Sequence, residues 1–153
     1  MNDQQDIQKA IETLFSGQLL AVLSTSSPDG HPYASLVCVV AEEDLSGIYF
    51  ATSRATRKFS HLTAEPRAAM LVDNSQNRKS DIYEAMAVTA VGTAQEISGP
   101  EAEAARSSYC RRHPQLESFV SAPTTALNAW RSTFTTWSTD FRKSWNTMSP
   151  DNY

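Results

Sequence analysis

Hydrophobic positions recur along the first half of the chain at two different periods. Ile7, Ala10, Ile11, Leu14 and Phe15 fall three or four residues apart, which predicts an amphipathic helix over 4–16 closed by Gly17. Short apolar, β-prone runs follow at Leu19 to Thr25, His31 to Ala41 and Ile48 to Thr52. Ser27-Pro28-Asp29-Gly30 is a strong turn between the first two, so they read as a hairpin. Glu42-Glu43-Asp44 with Gly47 forms the next turn.

Helical spacing returns over Ser53 to Glu65, in Phe59 and Leu62. Ser53 or Thr56 is available as the N-cap and Pro66 as the stop. Ala68 to Val72 reads as a fourth strand, and Asp73 to Asp81 as a loop too polar to bury. Glu84 to Ile97 reads as a fifth strand, with a bulge or close approach at Gly92. Ser98-Gly99-Pro100 opens a helix that runs to about Arg112 and breaks at His113-Pro114, and a helical turn over Gln115 to Val120 follows. Five short strands with tight turns and peripheral helices indicate an antiparallel barrel rather than a βαβ sheet. The first three strands are joined by turns too short for parallel crossovers.

Composition narrows the picture. The 153 residues suit one domain, and 41% hydrophobic with 20% charged residues supports a packed core. Net charge −4 and pI ≈ 5.3 argue against a nucleic-acid partner. No apolar run reaches membrane-spanning length, and the polar start from Met1 to Gln8 has no secretory pattern, so neither a membrane nor a signal peptide is expected. Cys38 and Cys110 fit free thiols in a reducing cytoplasm. The five glycines form neither GxGxxG nor a Walker loop, and CxxC, HExxH and GxSxG are all missing from the sequence. No metal site is expected from His31, His61 and His113, which stand apart.

The densest chemistry is Thr52-Ser53-Arg54-Ala55-Thr56-Arg57-Lys58, where six of seven residues carry a hydroxyl or a cation. On a strand-to-helix junction these groups suit a phosphate: hydroxyl donors, free N–H groups of a helix start, and positive charge. A capped, solvated helix start explains the same residues. Cys38 reads as a small buried hydrophobe and Cys110 as structural. His61 reads as helix surface, His113 as a helix end, and Asp81 and Glu84 as solvated loop carboxylates.

The ordered segments L-L-A-V-L-S-T, D-G-H-P-Y-A-S-L-V, G-I-Y-F-A-T-S, R-K-F-S-H-L, E-P-R-A-A-M-L-V and A-V-T-A-V-G-T-A resemble the pyridoxamine 5′-phosphate oxidase-like family of FMN-binding split barrels. The likeness covers about residues 5–125, leaving 126–153 as an atypical tail. It implies a mainly β fold, a six-stranded antiparallel Greek-key split barrel with flanking helices. It also implies a homodimer with FMN at the interface and an oxidoreductase acting on a small molecule. Ser35, Leu36 and Val37 match the strand along the flavin. Thr52, Ser53, Thr56, Arg57 and Lys58 match the phosphate junction. Gln76, Asn77 and Ser80 match the loop that reaches the partner's flavin. A catalytic side chain is not indicated, because the cofactor carries the redox chemistry. A non-catalytic flavin- or haem-binding module, or a dimeric barrel that has lost FMN, are the alternatives.

The tail departs from that pattern. Leu127, Trp130, Phe134, Trp137, Phe141, Trp145 and Met148 are spaced by three and four, which predicts an amphipathic helix rather than a closing strand. The Ser and Thr residues between them are poor helix formers. The Trp/Arg substrate motif of true pyridoxamine phosphate oxidases is missing here, so activity on vitamin B6 is not expected. Tryptophan has one codon, TGG, and reading one base earlier makes it NTG, for Leu, Val or Met. The tail can be back-translated so that this frame reads ECVEVNVYYLVDRFQEVVEYH, a β-rich ending. A frame change near residue 127 is therefore a further expectation.

Overall fold

The computed structural model describes residues 3–132. The chain forms helix α1 (Asp3–Gly17), strands β1 (Leu20–Ser26), β2 (Pro32–Ala41) and β3 (Ile48–Ser53), and helix α2 (Arg57–Ala64). Strand β4 (Arg67–Asp73), a short helix α3 (Asp81–Glu84) and strand β5 (Ala87–Glu96) come next. Helix α4 (Gly99–Arg112), a 3₁₀ turn (Pro114–Leu116), helix α5 (Glu117–Ser121) and strand β6 (Thr125–Ser132) complete it. All strand pairs are antiparallel. They close in the order β1-β2-β3-β6-β5-β4, so β6 returns between β3 and β5 as a Greek key.

Strand parity divides the core in two. Val37, Val39, Ile48, Phe50, Met70, Val72, Val88 and Trp130 point into the barrel, joined by Ile11, Leu14 and Phe15 of α1 and by Leu62 of α2. The alternate residues of β3 and β6 (Tyr49, Ala51, Leu127 and Ala129) lie under Ala105, Tyr109 and Val120 of α4 and α5. These two strands are covered on both faces, which explains their continuous rather than alternating burial. On β1, β4, β5 and the first half of β2 the outer face stays open, while Cys38 and Val40 at the far end of β2 pack against the α4 cluster. Leu36, Val22 and Leu71 align across β2, β1 and β4, and Leu36 is 63% exposed and Leu71 37%. Leu20 and Val91 extend the same apolar face.

Two expectations change. Residues 127–132, read as the start of a helix, are strand, because Trp130 pairs with Ile48 and fills the barrel at 0% exposure. Strand β6 begins at Thr125 and so crosses the expected boundary between 125 and 126. The remainder of that helical and frame reading, 133–153, lies outside the described residues. The fifth strand starts at Ala87 rather than Glu84. The Asp81 carboxylate accepts the N–H groups of Gln76 and Arg78, each at 2.8 Å, and this anchors the loop into the α3 turn. Those N–H donors hold the Asp81 carboxyl below its usual range. The close approach read at Gly92 is present: a Cβ there would lie 2.0 Å from the Arg131 carbonyl oxygen.

Candidate functional site

The junction from β3 to α2 is a tightly bonded corner. Thr56, extended at φ −85 and ψ 153, is the N-cap, and its Oγ1 accepts the Phe59 N–H. The same hydroxyl donates to the Ser53 carbonyl at 2.8 Å. Thr52 Oγ1 lies 2.9 Å away. Thr56 has only one proton and has given it to Ser53, so Thr52 must be the donor in that pair. Both threonine protons are thus spent inside the corner. Thr52 is buried and shapes the site from beneath.

What remains for an anion is the first turn of α2. The amides of Arg57 and Lys58 precede any helical carbonyl that could accept them, and they lie at the positive end of the helix. The Ser53 hydroxyl accepts the Ala55 N–H at 3.3 Å and keeps its own proton to donate. The three cations differ. Arg54 is bound in bidentate fashion to Glu96 of β5, with Nη1 to Oε2 at 2.6 Å, and its guanidinium lies 5.5 Å over the Phe59 ring. The hydrogen bonds it donates to Glu96 raise its pKa further. Arg57 and Lys58 meet no carboxylate among the described residues. The Arg57 guanidinium lies 5.3 Å over the Tyr33 ring. Lys58 is half-buried, its Nζ donates to the Leu36 carbonyl at 3.2 Å, and burial lowers its pKa.

That last bond joins the helix corner to the second group of expected residues. Ser35, Leu36 and Val37 lie on β2, and Lys58 ties their backbone to the α2 start. Val37 faces the core and Leu36 faces outward. The Ser35 hydroxyl is buried and has no hydrogen-bond partner among the described residues. A buried hydroxyl without a partner costs about 1–3 kcal/mol, and the next residue on β2, Leu36, offers its carbonyl to Lys58, so a polar ligand at this strand would relieve that cost. A phosphorylated cofactor suits this donor set: amides, a guanidinium and an ammonium for the phosphate, and a strand backbone for an edge-polar ring.

Gln76, Asn77 and Ser80 are not brought to this corner within one chain. They follow the far end of β4, whose seven residues begin just after α2 and span roughly 20 Å. Gln76 and Asn77 are exposed, and Asn77 has a positive φ of 57.

His61, expected on the helix surface, is instead 8% exposed, with its Nδ1 3.1 Å from the Thr25 hydroxyl and its ring edge-on to Tyr33. Its place four residues after Arg57 was the available signal, since i and i+4 share a helix face. Tyr33 carries no signal in the sequence, because its contact with Arg57 spans two elements. His113 does cap α4, but it is buried and its Nε2 lies 2.8 Å from the Val39 carbonyl. Both cysteines are free thiols packed partly buried against the outer cluster, and burial raises the Cys38 pKa. No group of three or more His, Cys, Asp or Glu side chains gathers as a metal site among the described residues.

A closed six-stranded antiparallel barrel with flanking helices is the split-barrel fold. The chain belongs to the pyridoxamine 5′-phosphate oxidase family, whose profile matches residues 7–139. Among curated proteins no sequence matches. Solved structures with the same fold include a haem-binding protein from Mycobacterium smegmatis (TM-score 0.72, 19% identity, 79% of this chain and 49% of that one). Others are HutZ, a haem storage protein from Vibrio cholerae (0.74, 12%, 83% and 90%), and an FAD-binding protein from Mesorhizobium loti (0.66, 15%, 82% and 87%). The chain spans about half the length of the M. smegmatis protein. No described helix is long and apolar enough to cross a membrane.

Proposed function

We propose that this protein binds FMN at the α2 start and works as a flavin-dependent oxidoreductase on a small molecule. The observation that carries the reading is the pair Arg57 and Lys58, free of carboxylates among the described residues and set on the first turn of a capped helix. Arg57 offers a planar fork to the phosphate and Lys58 a point charge. Ser53 adds a hydroxyl, while Thr52 and Thr56 hold the corner in shape. The backbone of Ser35, Leu36 and Val37 would lie along the flavin, with the Ser35 hydroxyl gaining the partner it lacks. When bound, FMN supplies the electron transfer, and the protein supplies orientation and electrostatics.

The apolar outer face of β2, β1, β4 and β5 supports a homodimer, since contiguous exposed apolar surface marks an interaction site. A second copy on that face would let Gln76, Asn77 and Ser80 approach the partner's cofactor. Two free thiols fit a cytoplasmic setting.

The family resemblance of the haem proteins named above favours haem as a second reading. The visible spectrum of the purified protein, followed by fluorescence titration with FMN, separates them. Flavin absorbance, a sedimenting mass of twice 16.9 kDa, and at least a tenfold affinity loss in the double variant Arg57→Ala/Lys58→Ala are expected. A Soret band favours haem. Unchanged FMN affinity in the double variant overturns the phosphate assignment.

A further inference from the structure

We infer that Tyr33 is a positioning residue for the phosphate, holding the Arg57 guanidinium ready before the cofactor arrives. The inference rests on the FMN reading above and adds a residue outside the expected binding set. Tyr33 lies on β2 two residues before Ser35, half-buried, with the Arg57 guanidinium carbon 5.3 Å from its ring centroid. The ring is itself fixed. His61 meets it edge-on, with centroids 5.7 Å apart and planes at 84°, and His61 is held by the Thr25 hydroxyl at 3.1 Å.

His61 and Arg57 come from the same face of α2, four residues apart, so the helix grips the tyrosine through both. Strand β1 contributes Thr25, paired directly with Tyr33 in the sheet register. The contact line Thr25, His61, Tyr33, Arg57 thus joins two adjacent strands to one exposed cation.

Exposed arginine carries about 2 kcal/mol of rotamer entropy, and ordering it on binding weakens a complex. A guanidinium held over an aromatic ring by cation–π attraction spends none of its N–H groups on a carboxylate or carbonyl acceptor. The ring contact therefore prepares Arg57 without using the donors that a phosphate takes. Arg54 contrasts with it: both of its terminal nitrogens donate to Glu96, so its charge is already paired.

The readout is the ratio of riboflavin to FMN dissociation constants, which isolates the phosphate contribution from ring binding. Wild type should prefer FMN at least tenfold. Tyr33→Leu should lower that ratio by about two- to fivefold, the size of an exposed cation–π contact, with riboflavin affinity unchanged. Tyr33→Phe should keep the wild-type ratio. A ring-fluorinated phenylalanine at 33 keeps the shape, removes the negative ring face, and should reproduce the leucine loss even where the leucine variant fails to fold. An unchanged or increased ratio in Tyr33→Leu or the fluorinated variant overturns the inference, as does an equal loss for riboflavin and FMN. A wild-type protein that does not prefer FMN over riboflavin overturns the cofactor reading itself.

Discussion

Gly92 is the position where one methyl group should do the most damage. A Cβ there would stand 2.0 Å from the Arg131 carbonyl oxygen, 2.7 Å from Trp130 Cζ2 and 2.8 Å from the Arg131 carbonyl carbon. Trp130 could retreat to relieve its own contact. The Arg131 contacts are with backbone, so they can be relieved only by parting β5 from β6. That seam closes the barrel, with Gly92 opposite Ser132 and Thr93 opposite Arg131. Overpacking costs about 1–3 kcal/mol, and each lost ladder hydrogen bond about 0.5–1.5 kcal/mol. Alanine recovers only about 0.4–1 kcal/mol by restricting the unfolded chain. The net loss for Gly92→Ala is about 3 kcal/mol, a large share of the ~5–15 kcal/mol that holds a domain folded. Urea unfolding followed by far-UV circular dichroism reads it directly. With a slope of about 2 kcal/mol/M, the midpoint should fall by about 1.5 M. The coupling with Trp130→Leu should stay under about 1 kcal/mol, because the backbone clash persists when the indole is gone. A Gly92→Ala protein within about 0.5 kcal/mol of wild type, or a coupling that accounts for the whole loss, refutes the packing argument.

Two further outcomes test the cation assignments. Arg54→Ala should change FMN affinity less than about twofold, because its charge is already paired with Glu96, whereas Arg57→Ala should cost about tenfold, in the range of one charge-assisted hydrogen bond; equal losses in fluorescence titration would erase the distinction. Burial sets the Lys58 pKa below the ordinary 10.5, so its ammonium loses its proton earlier than a free lysine as pH rises. FMN affinity should be full at neutral pH and fall through that lowered value, and Lys58→Arg should remove the alkaline loss, since arginine does not titrate there. Without cofactor the sign reverses: the charged, buried Lys58 costs stability at neutral pH, and the cost is relieved as pH rises.

Much of the barrel could be read from local pattern. The alternation in β1, β2, β4 and β5, the Ser27–Gly30 turn and the spacing in α1 and α2 each report a single face seeking burial, and period alone reveals that. The Thr52–Lys58 cluster was visible for the same reason, being contiguous in the chain. Strand β6 escapes a reading by period because both its faces are covered, so no alternation survives, and Trp130 falls in step with a helical stripe. The burial of His61 is invisible in the sequence because only a distant hydroxyl, Thr25, makes it tolerable.

Residue types and their order determine most of the elements, where they turn, and that hydroxyls and cations cluster at one strand-to-helix junction. Tertiary contact settled the roles within it. Closure of the barrel brought Glu96 to Arg54 across 42 positions and set Tyr33 beneath Arg57. Sequence pattern reports what each segment must bury. Which cation is neutralised and which is left for a ligand depends on partners that only the closed barrel brings within a few ångströms.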